Sequence, residues 1–251
     1  GANAALGRRG IRMKFFPENP ILVYRPFHLN ERNYLYLADR GRIYGDVRLF
    51  DDQGTGIHFY TNREDTIADQ EMTVELSRID LKQFKKVLPY LPDVEGWLGG
   101  SLHYVDSEGQ MMLSADMNLD NFVYEKSPLG NWTMSGAYLP GDNNAHHVDG
   151  FITYNDQEII YMNGVYQANE TGQENITGEL ELQHFPLRVI NPFIPEKMVA
   201  FTGDIDGTLS MTGSPMKPVL NGGLQLDSVL MIMPDMSVGF RFDNKQVKMQ
   251  D

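Results

Sequence analysis

The chain has 251 residues, with 34 acidic against 21 basic side chains for a formal charge of −13, and it contains no cysteine. That balance excludes a nucleic-acid partner, because phosphate binding relies on clustered Lys and Arg, and the basic pairs Arg8-Arg9 and Lys85-Lys86 stand isolated. The lack of thiols excludes a disulfide framework or a thiolate metal centre, and no apolar run approaches the roughly 18 to 20 residues that a spanning helix needs.

At the N-terminus, Gly1-Ala-Asn-Ala-Ala lacks the basic and apolar regions of a signal peptide. Gly1 without a preceding Met reads as a processing scar, and the far end stops inside a strand-like stretch, Lys245–Asp251. The expectation is a segment of something longer, since an unpaired strand edge invites aggregation unless more chain covers it.

The first strong pattern is Gly41-Arg-Ile-Tyr-Gly-Asp-Val-Arg-Leu49, glycines alternating with aliphatic residues at period two. A strand would set Ile43, Val47 and Leu49 on one face and Arg42, Tyr44, Asp46 and Arg48 on the other. The pattern returns at Gly96–Tyr104 and Gly203–Met211, with a degenerate copy at His146–Tyr154, at spacings of 50 to 57 residues. Such a period implies stacked supersecondary units. The same rhythm marks half-buried strands at Leu113–Leu119, Ile176–Leu182, Leu220–Leu226 and Val238–Phe242. Turn-forming clusters separate them: Asp51–Gly54, Asp106–Gly109, Pro140–Asn144, Asn155–Gln157 and Gly213–Pro215.

Two segments break the rhythm. Ile79–Pro92 has helical spacing at Leu81, Phe84, Val87, Leu88 and Leu91 and predicts two or three turns of amphipathic helix, ended by Pro89 and Pro92. Phe185–Pro195, interrupted by Pro192, predicts a single turn. Both stand at the same place in a longer repeat. Leu76, Leu81 and Pro89 align with Leu182, Leu187 and Pro195 at an offset of 106, and after one inserted residue Gly96, Gly100, Leu102, Leu113, Leu119 and Asp120 align with Gly203, Gly207, Leu209, Leu220, Leu226 and Asp227 at 107. The chain therefore reads as one elongated β-repeat region over 1–251, with sub-repeats at about 72–134 and 176–244 and weaker units at 41–60 and 146–166.

Glycine in a strand costs entropy and packing, so its recurrence beside Ile43, Leu98 and Ile205 needs a reason. Tight packing or a bulge, and a bent sheet with a hollow interior, carry equal weight.

Candidates for chemistry are weak. Asp204-Ile-Asp206-Gly-Thr-Leu209 copies a phosphatase signature in which the first Asp is nucleophile and the second acid/base beside Mg²⁺. That motif needs a parallel sheet with crossover helices, whereas the residues after Leu209 read as strands and turns, and the sister copies carry Arg42 and Tyr44 or Trp97 and Gly99 instead. His146 and His147 point to opposite faces of a strand and bring no further ligands. Sequons at Asn131, Asn169 and Asn175, and sugar-stacking by Trp97 or Trp132, are minor options. The expectation is a protein with no catalytic residues, no metal and no cofactor.

The stretch Gly203-Asp-Ile-Asp-Gly-Thr-Leu-Ser-Met-Thr-Gly-Ser-Pro-Met-Lys-Pro-Val-Leu-Asn-Gly-Gly-Leu-Gln-Leu-Asp-Ser-Val229 resembles the repeat of TamB-type, AsmA-like envelope proteins: a Gly-rich strand, a Thr-Gly-Ser/Thr-x-x-x-Pro hinge, then Leu-x-Gly-x-Leu-x-Leu. The resemblance is strongest over about 176–244, weaker over 72–134, where the Pro218 hinge is missing, and faint before 40. It implies a β-taco, an all-β, curved, mainly antiparallel repeat sheet with an apolar concave face and one or two short helical segments. It also implies a parent protein tethered to the inner membrane, a soluble periplasmic segment, and a BamA-type outer-membrane barrel reached through parts of the parent that this sequence lacks.

The function expected is a segment that carries or shelters lipid acyl chains between membranes, or assists outer-membrane protein assembly. Its groove would be lined by Ile43, Val47, Leu49, Leu98, Leu102, Tyr104, Leu113, Met117, Leu119, Val148, Ile152, Ile205, Leu209, Met211, Leu220, Leu224, Leu226, Phe240 and Phe242. Each sheltered methylene is worth about 0.8 kcal/mol. The alternative is a filled β-sandwich acting as an extracellular binding or adhesion module for protein or glycan.

Overall fold

The computed structural model describes residues 2–7, 10–16, 19–22, 25–62, 69–83, 90, 92–168, 174–195 and 198–249. Alternating residues with turn chemistry between them produce strands almost throughout: β1 (Ala2–Gly7), β2 (Gly10–Phe15), β3 (Ile21–Leu22), β4 (Arg25–Pro26), β5 (His28–Leu29), β6 (Tyr34–Ala38), β7 (Ile43–Phe50), β8 (Gly56–Thr61), β9 (Gln70–Asp80) and β10 (Val94–Ser107). They continue as β11 (Gln110–Tyr124), β12 (Ser127–Pro140), β13 (Ala145–Tyr154), β14 (Gln157–Ala168), β15 (Glu174–Pro186), β16 (Ala200–Ser214), β17 (Lys217–Met233), β18 (Val238–Arg241) and β19 (Gln246–Met249). The fold is all-β: 17 of these strands belong to one hydrogen-bonded antiparallel sheet, and β3 and β4 form a separate two-stranded ribbon.

The chain divides into two compact units, Gly1–Phe122 and Val123–Asp251. In the first, β1 pairs with β2, β2 with β6, and β6 through β10 follow one another as an antiparallel meander, with β5 added against β7. In the second, β12 through β17 form a simple meander, and β18 and β19 pair with opposite ends of β17.

Three hairpins turn on two residues that both have positive φ, Glu108-Gly109, Glu125-Lys126 and Asn155-Asp156. This is the type I′ geometry whose twist matches that of the flanking strands. At Asp51–Gly54 the Asp51 carboxylate accepts from the backbone N–H groups of Gln53 and Thr55, both at 2.9 Å, which closes the reversal between β7 and β8.

The two rhythm-breaking segments differ in outcome. Leu81–Gln83 forms a 3-10 turn after β9, and the rest of the expected helix, with Phe84, Val87, Leu88, Pro89 and Leu91, lies outside the described residues. Leu187–Phe193 is a seven-residue 3-10 helix with Pro192 inside it. Its Asn191 side chain is bonded twice to the Phe201 backbone, at 2.8 Å each, which pins the helix to the start of β16.

The offsets that align the sequence also relate the backbone irregularities. Register slips by one residue between β9 and β10, where Arg78 has φ 48°, and between β15 and β16, where His184 has φ 46°. Those two residues are 106 apart. Asn121 (φ 52°) in β11 and Ser228 (φ 53°) in β17 are 107 apart, and the latter marks a third slip, between β16 and β17. Such bulges bend the strand and sharpen its twist. Holding a non-glycine residue there costs about 1–2 kcal/mol, so two recurrences at matched positions indicate a shared construction.

Fully buried apolar side chains are few. Among the described residues they are Tyr44, Leu129, Ile159, Val189 and Val229. Most aliphatic side chains are half-buried, as expected for a sheet with one dry face.

Because Glu125 and Lys126 hold φ values of 45° and 68°, they carry strain that Asn-Gly would relieve. The double variant Glu125→Asn/Lys126→Gly should raise the urea unfolding free energy by about 1 kcal/mol. A lowered midpoint would show that this turn is not under the strain its dihedrals indicate.

Candidate functional site

Directly opposed residues in an antiparallel pair share a face, so register alone sorts the side chains. In the first unit Leu29, Leu49, Ile57, Leu76 and Gly100 form one cross-strand row, and Val47, Phe59, Val74 and Leu102 the next. The intervening rows face the other way and are polar: Arg48, His58, Glu75 and Ser101, then Asp46, Tyr60, Thr73 and His103. These knit together through His58 Nε2 to Asp46 (3.0 Å), Tyr60 donating to Glu75 (3.0 Å) and Thr73 to His103 (2.9 Å).

The second unit repeats the arrangement over more strands. One row runs Met134, Ile152, Ile160, Leu182, Gly207, Leu224 and Val247; the next runs Gly136, Gly150, Met162, Leu180, Leu209 and Gly222; a third runs Tyr138, Val148, Gly164, Gly178, Met211 and Leu220. Ile205 lies opposite Leu226 on this same face. The row behind them is Ala137, Asp149, Asn163, Glu179, Ser210 and Asn221.

Of the groove residues expected from sequence, Ile43, Val47, Leu49, Leu98, Leu102 and Tyr104 fall on the apolar face of the first unit by pairing. Met117 joins them, because its sulfur would lie 2.9 Å from a Cβ on Gly100, and alternation carries Leu113 and Leu119 with it. Val148, Ile152, Ile205, Leu209, Met211, Leu220, Leu224 and Leu226 share the apolar face of the second unit. Phe240 pairs with Met231, which opposes Phe201. The Phe242 N–H donates to the Val229 carbonyl at 3.0 Å, next along this ladder. None of the nineteen is fully buried, and Leu102, Leu113, Val148, Leu220, Phe240 and Phe242 are exposed. Sequence reasoning left out Met134, Tyr138, Ile160, Met162, Leu180 and Leu182, although the alternation at Ile176–Leu182 already marked that strand as one-sided.

Some of the glycines stand against a large side chain. A Cβ on Gly222 would meet Leu209 Cδ2 at 3.0 Å, and one on Gly178 would meet Met211 Cε at 3.8 Å. At these positions the glycine admits the large side chain nearby, whereas a Cβ on Gly136, Gly150 or Gly164 would meet only backbone of the neighbouring strand. Backbone approach matters as well, since a Cβ on Gly207 would stand 2.2 Å from the Gly223 carbonyl oxygen.

Each unit carries a cavity beside its sheet. In the second, the Leu187–Phe193 helix brings buried Val189 beside an open cavity of about 820 Å³ that is also lined by Tyr124, Leu129, Tyr154, Arg188 and Phe193. Tyr124 and Phe193 pack with ring centroids 4.6 Å apart. In the first, the β3–β4 ribbon and Phe27 stand over Leu49, Ile57 and Ile79, enclosing about 340 Å³.

The other motifs resolve into structure. Asp204 and Asp206 sit in antiparallel β16, where Asp206 receives the His184 backbone N–H at 2.8 Å and its Nδ1 at 2.5 Å. His146 stacks on Tyr138 and bonds to its hydroxyl, with Tyr166 on its far side, while His147 opposes Leu139 on the other face. Among the described residues no group of three or more His, Asp or Glu is placed to hold a metal. Trp97 carries the Arg78 guanidinium over its ring, and Trp132 packs on Tyr154 while its Nε1 donates to the Leu129 carbonyl. Among the described residues no helix is long and apolar enough to cross a membrane.

Comparisons of this chain with family models, with curated proteins and with solved structures return no match.

The His184–Asp206 pair gives the second unit a pH-dependent clasp across a bulge. The hydrogen bond that His184 donates to Asp206, then the Asp206 charge, raises the His184 pKa above its ordinary 6.5. Burial pushes Asp206 up, but the hydrogen bonds from His184 backbone and ring prevail and hold it below its ordinary 3.8. A raised histidine pKa contributes stability that is complete below about 6.5 and disappears as pH rises through the folded-state value. His184→Asn keeps a residue that tolerates positive φ but removes the charge. The stability gap between wild type and variant should be largest near pH 5.5 and should narrow by pH 8.5 in urea titrations; a gap independent of pH would remove the ionic contribution.

Proposed function

We propose that this chain is a non-enzymatic segment of an envelope protein whose apolar sheet face carries or shelters lipid acyl chains, as the resemblance to TamB-type, AsmA-like repeats implies. The observation that carries the reading is the register of β12 through β17 and β19. It gathers Ile152, Leu182, Leu209, Met211 and Leu224 into contiguous rows that stay half-exposed, with a polar, acid-bearing face behind them. A continuous, incompletely covered apolar surface is costly in water and marks an interaction site. Acyl chains suit it because they demand no directional partner, and the rows offer aliphatic, thioether and glycine positions with few hydrogen-bonding groups. Thioethers such as Met134, Met162 and Met211 adapt to chains of varied shape.

Placement in the periplasm, with the parent tethered to the inner membrane and reaching a BamA-type barrel through its other parts, belongs to the same proposal. The net charge of −13 supports a segment that stays off anionic membrane surfaces and receives lipid through its apolar face alone.

Photoreactive probes at positions 209 and 224 should crosslink to phospholipid co-purified from envelope membranes, while probes at 208 and 225, on the opposite face, should not. Leu209→Glu should abolish the labelling at 224, because a charge introduced into an apolar row is costly to desolvate. Labelling confined to 208 and 225 would sink the proposal.

A further inference from the structure

We propose that the N-terminal strands of the first unit form a basic patch that binds the phosphate headgroups of an anionic bilayer surface, through Arg12, Lys14 and Arg32. The formal charge of −13 is unevenly placed: residues 1–48 hold nine Lys and Arg against four Asp and Glu, a net +5, which leaves −18 on residues 49–251. Charge asymmetry of this kind points to a surface contact. The acidic remainder is repelled by a negative surface, so contact is confined to this patch and orients the chain upon it.

The fold gathers these cations. Register sets Lys14 opposite Asn3, and Arg12 between Ala5 and Tyr36, so both leave β2 on the face that carries Tyr34 and Asp46. The Arg12 guanidinium lies 4.5 Å over the Tyr34 ring centroid and Lys14 Nζ 5.4 Å over that of Phe16. Arg32 is brought beside them by Asn33, which is 2% exposed: its side chain accepts the Phe15 N–H and donates to the Asn30 carbonyl, each at 2.8 Å, and so ties the turn to the end of β2. All three cations line an open cavity of about 550 Å³. Among the described residues Glu31 is the one acidic side chain on its wall, and neither Arg12 nor Arg32, both exposed, belongs to an ion pair. Asp46, next along the face, is held by the side chains of His58 and Asn30 at 3.0 and 3.3 Å. Acidic residues farther off are screened beyond about 8 Å at physiological ionic strength. Guanidinium forks match phosphate oxygens bidentately, and an aromatic ring beneath a cation suits the headgroup boundary, where Tyr is enriched. A nucleic acid fits less well, because Arg12 and Lys14 cover the ring faces of Tyr34 and Phe16 on which a base would stack.

The patch stands on its own geometry and does not require the apolar face of the second unit to bind lipid. The whole chain should co-sediment with vesicles of phosphatidylcholine containing about one-third phosphatidylglycerol, and not with phosphatidylcholine alone. Binding should be lost as added salt shortens the Debye length from about 30 Å at 0.01 M to about 3 Å at 1 M. Each Lys or Arg near such a surface contributes about fivefold, so Arg32→Gln, in an exposed turn, should weaken vesicle binding about fivefold and Arg12→Gln/Arg32→Gln about 25-fold. Lys245→Gln removes an 83% exposed cation outside the patch and should change nothing. Leu209→Glu should also leave vesicle binding intact, so failure at the patch is separable from failure of the acyl-chain reading. Equal binding to neutral vesicles, no binding to the anionic ones at low salt, binding undiminished by the double substitution in a chain of unchanged circular dichroism, or tighter binding to a single-stranded oligonucleotide than to the vesicles each overturns the proposal.

Discussion

Cross-strand register is the constraint on which everything else in this molecule rests. With a side-chain period of two, slipping any ladder by one residue would turn a whole strand over and bring its acidic residues into the apolar rows. Between β14 and β15 the choice is between Met162 facing Leu180 and Met162 facing Glu179 or Glu181. Hydrophobic burial in the rows and ionic solvation behind them select the same register, and that agreement lets so long a meander adopt one pairing. Each good cross-strand pair contributes only about 0.2–1 kcal/mol, so specificity comes from repetition and not from any single contact.

Bulges are the departures from this rule. A one-residue slip should flip the strand, yet Leu182 and Phe185, on either side of His184, oppose Gly207 and Ile205 on one face. The extra residue absorbs the parity change: three steps along β15 match two along β16, and the left-handed backbone at His184 takes up the difference. Bending is thereby obtained without exchanging faces. Glycines cooperate at the same places, with Gly203 at φ 87° opposite the Ser228 bulge, where a Cβ would meet the carbonyl oxygens of Asp227 and Ser228 at 2.6 Å.

Much of this was legible in the sequence because alternation is a local property. Ile43, Val47 and Leu49 announce their shared face within seven residues, and Asn155-Asp156 announces its turn. The end of β9 was not legible: the helical spacing that begins at Leu81 hides that the strand extends through Ile79 to Asp80 before the 3-10 turn at Leu81–Gln83. The role of the glycines was half legible. Their recurrence signalled a close approach, but whether a neighbour's side chain would occupy the space depends on which residue lies across the ladder, as Leu209 does for Gly222.

The internal duplication shows how strictly register is enforced. The two copies align at an offset of 106 up to Pro89 and Pro195 and at 107 from Gly96 and Gly203 onward, so one residue was gained between those points. Within a paired strand such an insertion would reverse every side chain beyond it or demand another bulge. It falls between those matched positions, upstream of Gly96 in β10 and Gly203 in β16. Beyond it Leu102 and Leu209 still meet the apolar face of their own unit, and Gly100 and Gly207 still lie beside a large neighbour. Sequence has drifted between the copies, to the point that Arg78 is matched by His184 and Gly99 by Asp206, so the ionic clasp across the bulge exists only in the second. What both copies retain is the left-handed residue and the glycine near it, which are the groups that set backbone geometry and not those that add a particular contact.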